Sequence, residues 1–206
     1  AILGELKDGK IALKEVNRFP NKPIYKRGIL SWNTDYLFSE IKKSIMEAKK
    51  VAEVESIGVD TWGVDFGLLD EYGNLITFPA NYRDSRTKGI LKRVASLFSL
   101  KELYKITGNQ IMEINTLFQL LALREKNPEL FYQAKTVLLI PDLFNYLLTG
   151  KIAAECSIAS TTQLTDPHTK KWSKEVLDSF ELSGSYIAFY DKLERFNILL
   201  ERLISY

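Results

Sequence analysis

The six residues Asp60-Thr-Trp-Gly-Val-Asp65 hold the densest chemistry in the chain. Two carboxylates, a hydroxyl and an indole surround a glycine whose bare backbone another molecule can approach closely. Such acceptors orient the hydroxyls of a sugar, while its C–H face packs on an aromatic plane. A plainer reading stands beside this one: a bulged hairpin is common, and Trp62 would serve equally well as core. Further on, Asn81-Tyr-Arg-Asp-Ser-Arg-Thr87 brings a carboxylate, Asp84, close to a guanidinium, Arg86. These two suit a cleft, or a salt-bridged turn that does no more than hold itself together. Asn115 and Gln119 stand one helical turn apart and can reach in together, though Asn115 also suits a helix cap.

The elements that must position these residues are legible from pattern. Residues 56–59 open as a strand, break at Trp62-Gly63 and resume through Val64, Phe66, Leu68 and Leu69. Asp70-Glu-Tyr-Gly-Asn74 then turns, and Leu75, Ile76 and Phe78 return, predicting a hairpin with a polar kink. Upstream, residues 2–6 and 11–18 read as strands joined at Asp8-Gly9, and the prolines of residues 19–23 mark a loop. A helix starts at Asn33 or Thr34 and buries Leu37, Ile41, Ile45 and Ala48, leaving Lys42, Lys43, Lys49 and Lys50 solvated. Downstream, residues 88–96 suggest a helix, and Ser99-Leu-Lys-Glu102 caps another that Gly108 ends. Residues 116–126 and 141–148 are helical, with Gly150 closing the latter. Pro128 opens a turn, residues 137–140 form a buried strand, and Ser173 caps a helix over residues 173–180. Strands first, then mainly helices with returning strands, indicate an α/β class with a mixed sheet.

Bulk properties exclude several functions. The chain has 206 residues, 46% hydrophobic and 26% charged, enough for one sizeable core. A net charge of +2 argues against nucleic acid as a partner. No apolar run approaches the roughly 18 residues that span a bilayer, and no leader pattern opens the sequence. The lone Cys156 cannot form an internal disulfide, so a reducing, cytoplasmic setting is expected with Cys156 as a small buried filler. With His168 the single histidine, placed in a polar turn, a metal site or a Ser/His triad has little to draw on.

The string Ser56-Ile-Gly-Val-Asp-Thr-Trp-Gly-Val-Asp-Phe66, followed by Asn81-Tyr-Arg-Asp-Ser-Arg-Thr87, resembles the N-terminal domain of the FGGY carbohydrate kinases, in their L-rhamnulose kinase (rhamnulokinase) branch. The likeness continues through Gly108-Asn-Gln-Ile111, Asn115-Thr-Leu-Phe-Gln119, Ile140-Pro-Asp-Leu-Phe-Asn-Tyr-Leu-Leu-Thr-Gly150 and Ser157-Ile-Ala-Ser-Thr-Thr-Gln-Leu-Thr-Asp166. It implies a ribonuclease H-like α/β fold, as in actin and the hexokinases, over residues 1–180. Residues 181–206 depart from the family and read as a divergent tail with an amphipathic helix over residues 196–206.

By the same resemblance, Gly63 matches the glycine whose backbone contacts the ketose, Trp62 packs on the sugar or shapes its pocket, and Asp84 faces the cleft. Asp60 and Asp65 match no family base, and a structural role suffices for both. The family's phosphate loop and first strand align just before Ala1, and its general-base aspartate belongs to a His-Asp-Thr motif not found here. No catalytic, ATP-binding or metal residue is therefore assigned. The full-length family enzyme uses ATP and magnesium to convert L-rhamnulose to its 1-phosphate, and this chain alone is expected to be inactive. A second chain or segment is expected to complete the sheet and supply the ATP domain. The alternatives are a non-catalytic sugar-binding or assembly module, or another ketose such as xylulose or fuculose.

Overall fold

The computed structural model describes residues 1–182 and, beyond them, two short strands, Leu193–Glu194 and Ile198–Leu199. β1 (Ile2–Lys7) and β2 (Lys10–Glu15) pair antiparallel around Asp8 and Gly9, both at positive φ, as a tight hairpin turn requires. The second strand stops at Glu15, short of the expected residue 18. An unanticipated second hairpin follows, with β3 (Ile24–Lys26) and β4 (Ile29–Ser31) turning at Arg27-Gly28, again both at positive φ. Arginine rarely takes that conformation, so the turn carries no recognisable signal.

α1 (Thr34–Lys49) begins where Asn33 accepts a hydrogen bond from the Tyr36 amide at 3.1 Å. Leu37 and Ala48 are buried as expected, whereas Ile41 and Ile45 are half-buried and face a groove. β5 (Ser56–Ile57) and β6 (Phe66–Leu69) follow. The turn after β6 forms, with Asp70 Oδ1 accepting from the amides of Tyr72 at 2.9 Å and Asn74 at 2.8 Å. The return arm of the predicted hairpin is nevertheless slight: a Leu69–Leu75 bridge and one Ile76 amide bond to Leu68. β6 pairs instead with β7 (Thr136–Leu139), antiparallel, Phe66 opposite Leu139. All four residues of β6 are buried, so its partner has to be equally apolar, and Pro79 limits the return arm.

The remaining helices are α2 (Ile90–Leu97), α3 (Leu100–Thr107), α4 (Thr116–Lys126), α5 (Pro128–Gln133) and α6 (Ile140–Thr149). β8 (Ala154–Glu155), α7 (Cys156–Ala159), β9 (Thr165–Asp166), β10 (Lys171–Trp172) and α8 (Lys174–Ser179) complete the order to residue 182. Residues 116–122 of α4 are buried without interruption and pack with β6, β7 and α2. A helix turn buried on every side belongs at the centre of a core, here with Thr116 and Gln119 as its polar members.

The tail departs from expectation. β11 (Leu193–Glu194) pairs parallel with β8, and β12 (Ile198–Leu199) pairs antiparallel with β5. A helix over residues 196–206 is thus replaced at 198–199 by a strand, since the exposed backbone of β5 offers hydrogen bonds that an amphipathic pattern does not reveal. The rest of that predicted helix lies outside the described residues.

Asp142, in the first turn of α6, is 2% exposed. One carboxylate oxygen accepts from the Glu155 amide at 3.2 Å and the other has no partner. Burial, reinforced by the charge of Glu155, pushes its carboxyl up to about 7 from 3.8. Between those values the unfolded chain releases a proton that the folded chain keeps, so stability falls as pH rises through this window. The variant Asp142→Asn is expected to remove that fall, worth about 2–4 kcal/mol between pH ~4 and ~7.5. Paired urea titrations at the two pH values check it, and the difference between proteins cancels the lowered carboxylates Asp70 and Asp166, which act in the opposite sense.

Candidate functional site

The kink expected at Trp62-Gly63 is a reversal centred on Val64. The Asp65 amide donates back to the Gly63 carbonyl at 2.9 Å, and Val64 sits at φ +67°. This is the rare, strained hand of γ-turn, and a β-branched residue adopts it only where the surroundings impose it. The imposing groups come from α4. The Val64 carbonyl accepts from Thr116 Oγ1 at 2.8 Å and from Gln119 Nε2 at 3.3 Å.

Asp65 is the hub of the site and is fully buried. Its Oδ2 accepts from the indole N–H of Trp32 at 2.6 Å, the indole N–H of Trp62 at 3.1 Å and the Tyr82 amide at 3.1 Å. Its Oδ1 accepts from Gln119 Nε2 at 3.0 Å. Burial pushes this carboxyl above its ordinary range, while these four donors favour the charged form. The two indoles that share Oδ2 lie with ring centroids 4.3 Å apart, tilted by 43°.

Beside the hub opens a cleft of about 500 Å³, bounded by Trp62 and Gly63, Tyr82, Asn109 and Gln110, Met112, Asn115 and Thr161. Gly63 meets its wall closely: a Cβ there would sit 3.1 Å from Thr161 Oγ1. A side chain at 63 would therefore press on Thr161 or project into the cleft. Half-buried Trp62 closes one side.

The other sequence candidates are distributed unevenly. Asp84, expected to face the cleft, instead caps backbone: Oδ1 accepts from the Arg86 amide at 2.9 Å and Oδ2 from the Leu30 amide at 2.9 Å. Its ion pair with Arg86 spans 3.8 Å. The buried Arg86 guanidinium donates to the Asn81 carbonyl at 3.2 Å and to Gln119 Oε1, and burial pulls its pKa down. Asn115 lines the cleft and occupies the N-cap position of α4, but its side chain makes no capping bond. It donates to the Gln110 carbonyl at 2.8 Å and Gln163 Oε1 at 2.7 Å. Gln119 turns to the hub, so the two do not act as a pair. Asp60 is exposed rather than buried, His168 is exposed as expected, and Cys156 is half-buried, with its thiol donating to Glu155 at 3.4 Å. Tyr82, Asn109, Gln110 and Thr161 received no role from sequence. Polar residues just after the Gly108 helix stop were the one available signal for two of them.

Residues 1–189 match the FGGY family of carbohydrate kinases, N-terminal domain. The chain belongs to this family. It is 45% identical over 179 residues to a rhamnulokinase of Halalkalibacterium halodurans, covering 86% of this chain and 38% of that protein. A rhamnulokinase of Oceanobacillus iheyensis is 43% identical over 185 residues, 89% of this chain and 39% of the relative. The chain thus spans under two-fifths of the length of these relatives. Among solved structures, a xylulose kinase of Rhodospirillum rubrum superposes with a TM-score of 0.76 at 18% identity, covering 90% of this chain and 39% of that one. A gluconate kinase of Lactobacillus acidophilus gives 0.73 at 20% identity, covering 86% and 36%. At such identities the likeness shows the fold alone, that of these FGGY-type kinases.

Replacing the hub tests the geometry directly. Asp65→Ala leaves two indole N–H groups and the Tyr82 amide without an acceptor and removes one of the acceptors of Gln119, at an expected cost of about 3–5 kcal/mol. Urea unfolding measures the loss, and a weakened near-ultraviolet signal from the Trp32–Trp62 pair reports the released stacking.

Proposed function

We propose that this FGGY domain supplies the sugar-holding wall of a kinase that moves the γ-phosphoryl group of Mg·ATP to the primary hydroxyl of L-rhamnulose. The ketose oxygen gains the phosphoryl, ADP leaves, and the product is L-rhamnulose 1-phosphate. The single observation that carries this reading is the cleft at Trp62-Gly63, set in a chain 39–45% identical to rhamnulokinases. The half-buried Gly63 presents its backbone to sugar hydroxyls at the cleft, the Trp62 face meets C–H groups, and Tyr82 and Asn109 add polar edges. Asp84 acts one step back, fixing Arg86 and the loop that presents Tyr82. A cytoplasmic setting suits the free thiol of Cys156.

Mg·ATP does not fit the residues described. They include no group of three His, Cys, Asp or Glu side chains able to hold a metal ion, and no glycine-rich phosphate cradle of the P-loop kind. No step of phosphoryl transfer is therefore assigned to this chain, whose residues bind and orient the sugar. A second reading, a non-catalytic sugar-binding or assembly module, draws on the apolar side chains exposed along β1 and β2. Leu6 is 75% and Ile11 72% accessible.

Calorimetry with L-rhamnulose, L-fuculose and D-xylulose separates these readings. Saturable binding strongest for L-rhamnulose and abolished by Gly63→Val is expected, and a preference for another ketose reassigns the substrate. A coupled ADP-release assay on the isolated chain is expected to stay far below the roughly 1–100 per second of kinases. No sugar binding together with concentration-dependent dimerisation favours assembly.

A further inference from the structure

A cavity of about 180 Å³ is lined by residues 57–61, by α6 and by the corner where β8 meets α7. It shares no lining residue with the cleft at Trp62-Gly63. Three carboxylates border it, those of Asp60, Asp142 and Glu155, and no lysine, arginine or histidine does. Asp142 and Asn145 stand three residues apart on α6 and so are neighbours on the helix surface. Asp142 Oδ2 and Asn145 Oδ1 are both buried without a hydrogen-bond partner. As a residue Asp142 is 2% exposed, and its other oxygen is held by the Glu155 amide at 3.2 Å. Native interiors leave few such orphans, because an acceptor stripped of water and given no donor is costly.

The structure assigns this cavity to a small monovalent cation of the potassium class, held between Asp142 Oδ2 and Asn145 Oδ1 with waters completing its shell. Both orphans are oxygens that accept and, with the carboxyl ionised, cannot donate. A water molecule can donate to the two of them, but it leaves the negative charge around it uncompensated. The volume admits an ion together with several waters of about 30 Å³ each. The charge of the ion follows from what remains free to touch it. Glu155 is already engaged: Oε2 accepts from the amides of Ser157 at 2.8 Å and Ile158 at 3.0 Å and from Ser157 Oγ, and Oε1 from the Cys156 thiol at 3.4 Å. Asp60 is exposed. One buried carboxylate oxygen and one neutral amide oxygen are left for direct contact, which suits a single positive charge. A divalent ion asks for a larger anionic set, and the described residues bring no three His, Cys, Asp or Glu side chains together for one. Donors that are all oxygen also disfavour soft metals. Residues 57–61 run directly into Trp62-Gly63, so an ion here ties the approach to the reversal onto α6. The inference does not rest on the sugar assignment, because the two sites have no lining residue in common.

The test uses the 206-residue chain in buffer alkaline enough to ionise Asp142, with potassium chloride exchanged for tetramethylammonium chloride at constant ionic strength. Equilibrium dialysis with radioactive rubidium, a mimic of potassium, is expected to show a single saturable site per chain. Saturating potassium is expected to slow amide exchange in Ile140–Thr149 and residues 57–61 about tenfold relative to tetramethylammonium, a difference of about 1.4 kcal/mol in local opening. Asp142→Asn keeps the shape, removes the charge and is expected to abolish rubidium uptake while circular dichroism stays that of the parent. Asn145→Leu is expected to weaken uptake about tenfold. Should either variant fail to fold, uptake and the location of the slowed amides in the parent chain still decide. Equal exchange rates in the two salts overturn the assignment, as does rubidium uptake that survives Asp142→Asn. Uptake that rises without saturating overturns it in favour of a diffuse counterion cloud. Magnesium or calcium displacing rubidium at a lower concentration than potassium does overturns the monovalent ion in favour of a divalent one.

Discussion

A single buried carboxylate constrains the whole site. Asp65 lies where water does not reach, and an isolated ion there would be prohibitively costly. Its four hydrogen bonds make that position tenable, and each donor comes from a different part of the chain. Trp32 follows β4, Trp62 leads into the reversal, Tyr82 opens the loop before Arg86, and Gln119 projects from α4. Satisfying one group therefore ties together four segments, and none can shift without leaving a polar atom unpaired.

The strain at Val64 makes sense in that frame. Turning the chain back so that Asp65 points inward forces Val64 into the left-handed region, and Thr116 and Gln119 hold its carbonyl there. The same turn leaves Gly63 at the surface of the cleft with Trp62 fixed beside it. The residues that border the cleft are thus carried on a strained loop held from beneath, which fixes the shape of the cleft wall. Arg86 extends the network outward through Gln119 and the Asn81 carbonyl, its positive charge partly offsetting the hub's negative one.

Sugar kinases 18–20% identical to this chain keep the same fold, which fits a core set by burial pattern more than by particular side chains. Leu117, Phe118, Leu120, Leu121 and Ala122 of α4 illustrate the point: another apolar set of similar volume would fill those positions. The hub is different, since donors and acceptor must match in type as well as in size.

Local chemistry was legible wherever a rule acts within a few residues. The Asp8-Gly9 turn, the Asn33 and Ser99 caps, the Gly108 and Gly150 helix ends and the extent of α4 all follow from neighbours in sequence. The Arg27-Gly28 hairpin was not legible, because its backbone conformation is uncommon for arginine. Nor was the β6–β7 pairing, which joins residues about seventy apart in place of the nearer Leu75–Phe78 arm. Asp84 was read by type as facing the cleft, and Asn115 as reaching into it or capping a helix. In the fold, Asp84 caps the Arg86 amide, and Asn115 bonds across to Gln163.

By itself, the order of residues determined the family, the α/β class and the tryptophan-glycine kink that borders the cleft. Those depend on composition, periodicity and contiguous motifs, all properties of neighbouring positions. Only the tertiary structure decided that Asp65 is the anchor, that Asp84 bonds to backbone amides, and that β5 pairs with a strand of the tail. Each of those depends on which distant groups arrive at one buried point, and hydrogen bonds between segments leave no trace in local sequence.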